Sequence, residues 1–334
     1  MNILVTGGAG YIGSQASKHL AASGHLPVSL DNLSRGHAAS VRWGPLVNGD
    51  ISDTALVKQT IRKYQIDAVF HLAAYAYVAE SIANPEAYFE NNVIRSLRLI
   101  QAAHEAGIKY FIFSSTCATY GVPQSIPIGE DHPQQPINPY GESKLFVEKA
   151  LRWYGAAHGL NWVALRYFNA AGADPDGELG ESHNPETHLI PLVIEAAYNS
   201  AQPIRIFGTD YPTADGTAVR DYIHVADLAD AHVAALAYLA GGGASRPFNI
   251  GTGLGHSVKE VIDTVSLVTG NVPRVLKEPR RIGDPPTLIA NPRLAHDTLK
   301  WRASRSDLSN IIRTACAWRS ASHAAFQAAS GVST

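Results

Sequence analysis

The sequence is poor in cysteine, short of long apolar runs and almost without net charge. Only Cys117 and Cys316 occur in its 334 residues. They match no metal-ligand spacing, so neither a zinc module nor a disulfide framework is expected, and no metal is expected. Reduced, buried thiols fit a cytoplasmic protein better than a bridged pair. No apolar stretch approaches the roughly 20 residues of a membrane-spanning helix. Met1-Asn2 runs straight into an apolar strand, so no signal peptide is expected. A formal charge of −2 gives no bulk attraction to nucleic acid or to an anionic membrane. An anionic ligand must therefore be held by local arginines and backbone N–H groups. Internal repeats and low-complexity linkers are lacking too.

What is present is alternation. Ile3-Leu4-Val5-Thr6 reads as a short buried strand that stops at Gly7. A helical pattern over 12–23 ends at Gly24, and Pro27 to Asp31 reads as a second strand. Further strands read at 68–72, 110–114 and 162–167. Between them lie a helix with Leu97, Ile100 and Ala103 on one face and another from Tyr140 to about His158. This alternation predicts an α/β protein with a Rossmann-type, doubly wound parallel sheet. The chain exceeds the size at which one core stops growing, so a smaller α/β domain for substrate is expected behind it. The expected division is a dinucleotide-binding domain over 1–170, with a return segment near 222–250, and a mainly substrate-binding domain over 171–334. Residues 172–187, rich in Gly, Pro, Asp, Glu and His, read as an exposed or substrate-covering loop, and 203–222 as turn-rich. Helices are expected at 191–199 and 227–239, and a returning strand at 248–250.

The first glycine cluster carries chemistry. Gly7, Gly10 and Gly13 stand between a strand and a helix. Glycine permits the tight turn, the approach of a pyrophosphate and the close packing of helix on sheet. The helix then aims its first N–H groups at the phosphates. Asp31 ends the second strand, where a carboxylate accepts hydrogen bonds from both ribose hydroxyls of an adenosine and repels a 2′-phosphate. NAD is thus favoured over NADP. Arg35 stands near enough to pair with a phosphate. Asp50-Ile51, at the end of a third short strand, suits the bracketing of adenine.

Tyr140 and Lys144 stand at i and i+4, one turn apart on one helix face. A phenol with a pKa of about 10 is a poor base at neutrality. A neighbouring ammonium and an oxidised nicotinamide both favour phenolate, which then removes a proton from an alcohol as hydride leaves. Thr116 closes the strand ending Ser114-Ser115-Thr116, where open α/β sheets meet their ligands. It suits a hydrogen bond to the substrate hydroxyl. Ser114 reads as a backbone cap.

These blocks resemble a family. Gly7-x-x-Gly10-x-x-Gly13, Thr116 and Tyr140-x-x-x-Lys144 are similar to the extended short-chain dehydrogenase/reductases. Asp31-Asn32-Leu33, Asn138-Pro139-Tyr140-Gly141, Arg166-Tyr167-Phe168-Asn169 and Arg220-Asp221-Tyr222-Ile223-His224-Val225 resemble the UDP-glucose (UDP-galactose) 4-epimerases, from Met1 to about Trp301. The resemblance implies reversible oxidation of the sugar at C4 by retained NAD, through a 4-keto intermediate. It makes Tyr140 the base and then the acid, Lys144 the holder of the nicotinamide ribose, and Thr116 the hydroxyl partner. It implies NAD contacts from Gly7, Gly10, Tyr11, Ile12, Gly13, Asp31, Asn32, Asp50, Ile51, Leu72, Ala73, Ala74, Asn91, Tyr140, Lys144 and Phe168. It implies substrate contacts from Thr116, Asn169, His188, Leu189, Phe207, Arg220, Arg281 and Asp284. Here the two arginines would neutralise the diphosphate, Phe207 would stack on uracil and Asp284 would accept from the uridine ribose. A homodimer formed through two helices of the first domain is also implied.

The sequence departs from that pattern in three places. Leu72-Ala73-Ala74-Tyr75-Ala76 lacks the lysine that follows this strand in well-known members. His188 replaces an asparagine near the diphosphate, and it can bind the same group or merely fill the loop. Leu288 stands where a bulky tyrosine often limits N-acetylated sugars, so a wider pocket is allowed. Ala74-Tyr75-Ala76-Tyr77-Val78 and Ser114-Ser115-Thr116-Cys117-Ala118-Thr119-Tyr120 also resemble UDP-xylose/UDP-arabinose 4-epimerases. Thr116 is followed by Cys117-Ala118, not the Asp-Glu of nucleotide-sugar dehydratases. A net NAD-dependent dehydrogenase would accumulate NADH. A non-enzymatic NAD-binding module would not need the intact Thr116, Tyr140 and Lys144.

Overall fold

The computed structural model describes residues 1–281 and 283–330. β1 (Asn2–Thr6) leads through the glycine turn into α1 (Tyr11–Ala22) and returns as β2 (Leu26–Asp31). β3 (Leu46–Asn48), α2 (Thr54–Tyr64) and β4 (Ala68–His71) follow. Two short helices, α3 (Val78–Ala83) and α4 (Pro85–Tyr88), run through a π turn at Phe89–Ile94 into α5 (Arg95–Glu105). Next come β5 (Tyr110–Thr116), α6 (Pro139–His158), β6 (Asn161–Tyr167) and β7 (Asn169–Ala171). Then come α7 (Leu189–Tyr198), β8 (Ile204–Phe207), β9 (Val219–Arg220), β10 (Tyr222–His224), α8 (Val225–Ala240) and β11 (Arg246–Ile250). The chain continues through β12 (His256–Ser257), α9 (Val258–Thr269), β13 (Val275–Glu278) and β14 (Thr287–Leu288) to α10 (Arg293–Leu299) and α11 (Leu308–Ser330).

Among the described residues, seven strands form one sheet in the order β3-β2-β1-β4-β5-β6-β11, every pair parallel. Side chains alternate across it, as a two-residue period requires. Ile3 and Val5 enter the core under α1 and α8, while Leu4 enters the core under α2, α5 and α6. Both faces are covered, so the strands read as continuous apolar runs. A third cluster joins α7, β8, α9 and α11 through Val193, Ile206, Val261 and Ile311.

The long helix α6 shows why its start was legible. Asn138 caps it by accepting from Gly141 N at 2.8 Å, Pro139 occupies the first turn, and Gly159 closes it at φ 70°. α1 differs, since Gly10 offers no side-chain cap and leaves the first N–H groups of the helix without one.

Several expectations shift. The third strand stops at Asn48, because the Asp50 carboxylate turns the chain by accepting from Ser52 N at 2.9 Å. Leu97 is exposed, and Ile100 and Ala103 carry the buried face. Residues 203–222 contain strands, since β8 pairs with β13 and β9 pairs with β12 and β14, partners distant in sequence. The returning strand begins at Arg246 and lies parallel to β6. The 172–187 loop is not all exposed, because Asp174 and Leu179 are buried. Asp174 takes Lys18 at 2.8 Å and Gln15 at 3.1 Å. Both cysteines are free and buried, so no bridge joins them. Among the described residues no helix is long and apolar enough to cross a membrane.

Candidate active site

The site lies at the C-terminal ends of the central strands, where the order reverses between β1 and β4. Gly7 turns at φ 71°, and a Cβ there would lie 2.7 Å from Ala73 N. A Cβ on Gly13 would lie 2.1 Å from Gly7 O, so Gly13 is needed for the helix to pack on the turn. A Cβ on Gly10 would meet only Gly7 O, at 3.3 Å. Gly10 is therefore the glycine whose missing side chain leaves room for a ligand. The pyrophosphate of a dinucleotide fits this cradle: uncapped N–H groups, a bare Cα and no acidic residue in the first turn of α1. Ile12 packs into the sheet core, and Tyr11 donates to Gly172 O at 2.6 Å.

Asp31 is buried and accepts from Ala9 N at 3.0 Å and Leu33 N at 2.8 Å, one on each oxygen. A carboxylate has about four lone-pair sites, so both oxygens can still accept from a ribose. Asn32 donates to Asp50 at 3.0 Å, and Arg95 reaches Asp50 at 2.6 Å. Burial alone would raise the Asp50 pKa, but Ser52, Asn32 and Arg95 hold it below the ordinary value. Ile51 is buried beside them. Leu72 and Ala73 border the Gly7 turn, and Ala74 follows them. Arg35 is not free for a phosphate: it grips Glu80 at 2.6 and 2.8 Å and lies 4.0 Å over Tyr75.

The Thr116, Tyr140 and Lys144 side chains are all buried. Thr116 ends β5 and accepts from Ala118 N at 3.1 Å. Burial first, and then Tyr167, push the Tyr140 phenol well above its ordinary pKa, while a hydrogen bond with Thr116 opposes them. Burial pulls Lys144 down to about 7. Its Nζ donates to Ser114 O at 2.8 Å and lies 5.0 Å over the Phe113 ring. Ser114 is thus no cap: its carbonyl holds the lysine and its hydroxyl meets that of Tyr167. His71, stacked on Phe113, is driven down to about 3 by burial and by Lys144, so it stays neutral.

Several participants were missed. Asn92, in the π turn, accepts from Tyr75 N at 2.8 Å and donates to Ser143 Oγ at 3.1 Å. It ties the chain after β4 to α6, and Asn91 donates to it at 2.9 Å. Glu148 lies one turn beyond Lys144 and binds Arg166 at 2.6 Å, both side chains almost wholly buried. Ser115 donates to the same carboxylate, and Arg166 donates to Tyr120 at 2.9 Å. A charge on the apolar face of a helix was the signal available for Glu148.

The residues expected at the substrate, Thr116 apart, follow β6 in the chain. Asn169 opens β7, with its N–H on Asp221 O at 3.0 Å. Phe168, Cys117 and Leu288 share one apolar cluster beside Thr116. Arg220 pairs with Asp284, and Arg281 lies 4.0 Å over the Phe207 ring. The structure therefore occupies the Asp284 carboxylate with Arg220, and the Phe207 face with Arg281, where a ribose and a uracil had been expected. Leu189 begins α7, and His188 precedes it. The His188 Nδ1 faces Glu181 and Glu186, whose carboxylates raise its pKa against the effect of burial.

Seven parallel strands in this order, with a glycine turn at the switch point, define a dinucleotide-binding Rossmann architecture. Residues 3–251 match the model of the NAD dependent epimerase/dehydratase family, and the chain belongs to that family. The chain is 52% identical over 321 residues to the UDP-glucose 4-epimerase of Rhizobium leguminosarum bv. trifolii, covering 96% of this chain and 98% of that one. It superposes with a TM-score of 0.92 on the Brucella ovis UDP-glucose 4-epimerase solved with NAD, at 51% identity, covering 94% and 97%. A Stenotrophomonas maltophila UDP-glucose-4-epimerase with NAD and formylated UDP-arabinopyranose matches at TM-score 0.94 and 39% identity, covering 97% and 99%.

Proposed function

We propose that this chain is a UDP-glucose 4-epimerase, which interconverts UDP-glucose and UDP-galactose by NAD-dependent reversible oxidation at C4. The observation that carries the reading is the set of Thr116, Tyr140 and Lys144, all buried, with Thr116 ending β5 and Lys144 of α6 donating to Ser114 O of the same strand. When bound, NAD+ supplies the hydride acceptor, its return to the opposite face, and a positive charge near the phenol. Tyr140 takes the proton of the 4-hydroxyl and later gives it back. Thr116 orients that hydroxyl. Lys144, fixed by Ser114 O, holds ribose hydroxyls and favours phenolate. The buried site excludes water from the oxidised sugar.

Gly7, Gly10, Tyr11, Ile12, Gly13, Asp31, Asn32, Asp50, Ile51, Leu72, Ala73, Ala74, Asn91 and Phe168 form the rest of the NAD site in this reading. Asn169, His188, Leu189, Phe207, Arg220, Arg281 and Asp284 bind the UDP-sugar. Arg220 and Arg281 turn from Asp284 and Phe207 toward the diphosphate when it arrives. The first 170 residues, with the return through β10 to β11, serve the cofactor, and the remainder mainly serves the nucleotide-sugar.

A second sugar range, UDP-xylose and UDP-arabinose, is favoured by the Ala74-Tyr75-Ala76-Tyr77-Val78 segment and by the arabinopyranose nucleotide in the Stenotrophomonas neighbour. α5 and α6 pack together and expose Leu97, Phe146 and, 74% open, Trp153. That apolar face supports a homodimer. The free thiols support a cytoplasmic setting.

The test is a UDP-sugar panel followed by NMR with no cofactor added. Epimer formation without NADH accumulation supports the reading. Stoichiometric NADH, or no epimer from any sugar, sinks it.

A further inference from the structure

We propose that Glu181, His183, Glu186 and His188 form a binding site for a divalent transition metal of the zinc class, which pins the loop over Tyr11 and Tyr77. The four side chains come from one eight-residue stretch, and one donor atom of each lies within 4.8 Å of the others. His183 Nδ1 and His188 Nδ1 lie 3.0 and 2.6 Å from the same Glu181 oxygen. They lie 3.9 and 3.1 Å from the Glu186 carboxylate. A tetrahedron with bonds of about 2.0–2.1 Å has edges of about 3.3–3.4 Å, so the two rings need to draw back from Glu181 by less than about 1 Å to admit a metal ion.

Each Nδ1 carries at most one hydrogen, and both rings turn it toward the same Glu181 oxygen, while His188 Nδ1 also faces Glu186. A cation satisfies all four donors at once. Two imidazoles and two carboxylates suit zinc and its neighbours rather than calcium or magnesium, which take oxygen alone.

The surroundings are built for rigidity. The Glu181 side chain is only 7% exposed, and its carbonyl accepts from Trp318 Nε1 at 2.9 Å. Glu186 Oε1 also accepts from Thr187 N and His188 N at 2.7 and 2.8 Å, which orients a ligating carboxylate. The His183 ring stands edge-on to Tyr77 and Tyr11 at 5.7 and 6.3 Å. The nearby carboxylates Asp174, Asp176 and Glu178 differ in kind. Lys18 Nζ already lies 2.7–2.8 Å from all three.

The probe is metal alone on the full-length protein after dialysis against chelator. Wild type is expected to take up one Zn2+ per chain, to melt at higher temperature with it, and to give the intense visible bands of tetrahedral Co2+. His183→Asn is expected to weaken uptake by about tenfold or more and to abolish the bands. Binding at any of the other histidines would survive that substitution. Equal uptake by wild type and His183→Asn, or only the faint spectrum of octahedral Co2+, overturns the proposal. Circular dichroism checks folding, and Glu186→Gln replaces His183→Asn should that variant unfold. None of these readouts depends on epimerisation, so the two readings fail separately.

Discussion

The ammonium nitrogen of Lys144 sits 2.8 Å from the carbonyl oxygen of Ser114, so a strand end holds the cation that the helix carries. The same strand ends two residues later in Thr116. One hydrogen bond thus sets the lysine relative to the Thr116 hydroxyl. Burial raises the Tyr140 phenol and lowers Lys144 to about 7, so burial by itself opposes phenolate. A bound oxidised nicotinamide would oppose that shift with its positive charge.

Tyr140→Phe removes the proton acceptor and nothing from the glycine cradle. Turnover is expected to fall by about 100- to 10,000-fold. NAD content after unfolding and extraction should match wild type. An active variant would remove Tyr140 from the chemistry.

Lys144→Met tests the sign of its shift. The folded value of about 7 lies below the ordinary value of 10.5, so between them the unfolded chain binds the extra proton. Stability then rises with pH through that window, and the cost of burying the ammonium is fully present below pH 7. In cofactor-free protein, the Tm of Lys144→Met minus that of wild type should be largest at pH 6 and shrink toward pH 10. A difference that stays flat across this range contradicts the shift.

Glu148 and Arg166 are paired out of water. Arg166→Met leaves the Glu148 carboxylate uncompensated and is expected to destabilise by about 3–5 kcal/mol. Glu148→Leu combined with Arg166→Met should lose less than the single change. Urea unfolding of the three proteins decides, and a double variant worse than the single would contradict this account.

The glycines separate folding from binding. Gly13→Ala drives a methyl to 2.1 Å from Gly7 O and should unfold the turn or displace α1. Gly10→Ala has room in the protein and should fold, yet retain little NAD. Soluble yield and bound-cofactor absorbance distinguish the two.

Arg220→Met is expected to raise KM for the UDP-sugar by about 10- to 100-fold, the worth of a charge-assisted hydrogen bond, with kcat little changed. Steady-state kinetics separates the two constants, and an unchanged KM would remove Arg220 from the binding site.

Local rules made much of this molecule legible in advance. Gly7, Gly10 and Gly13 between apolar β1 and α1, and Tyr140 and Lys144 one turn apart on α6, are short-range patterns fixed by steric and helical periods. The cap at Asn138 and the stop at Gly159 are equally local. The parallel sheet followed because strands that alternate with helices leave few other topologies. Folding alone decided the rest. The pairing of Arg220 with Asp284 spans 64 residues, and that of Glu148 with Arg166 crosses from helix to strand. Ser114 came to hold Lys144 through its carbonyl, a group identical at every position in the sequence. Such contacts depend on where distant backbone comes to rest and on which charges must find partners once water is gone. Residue type and spacing carry no record of either.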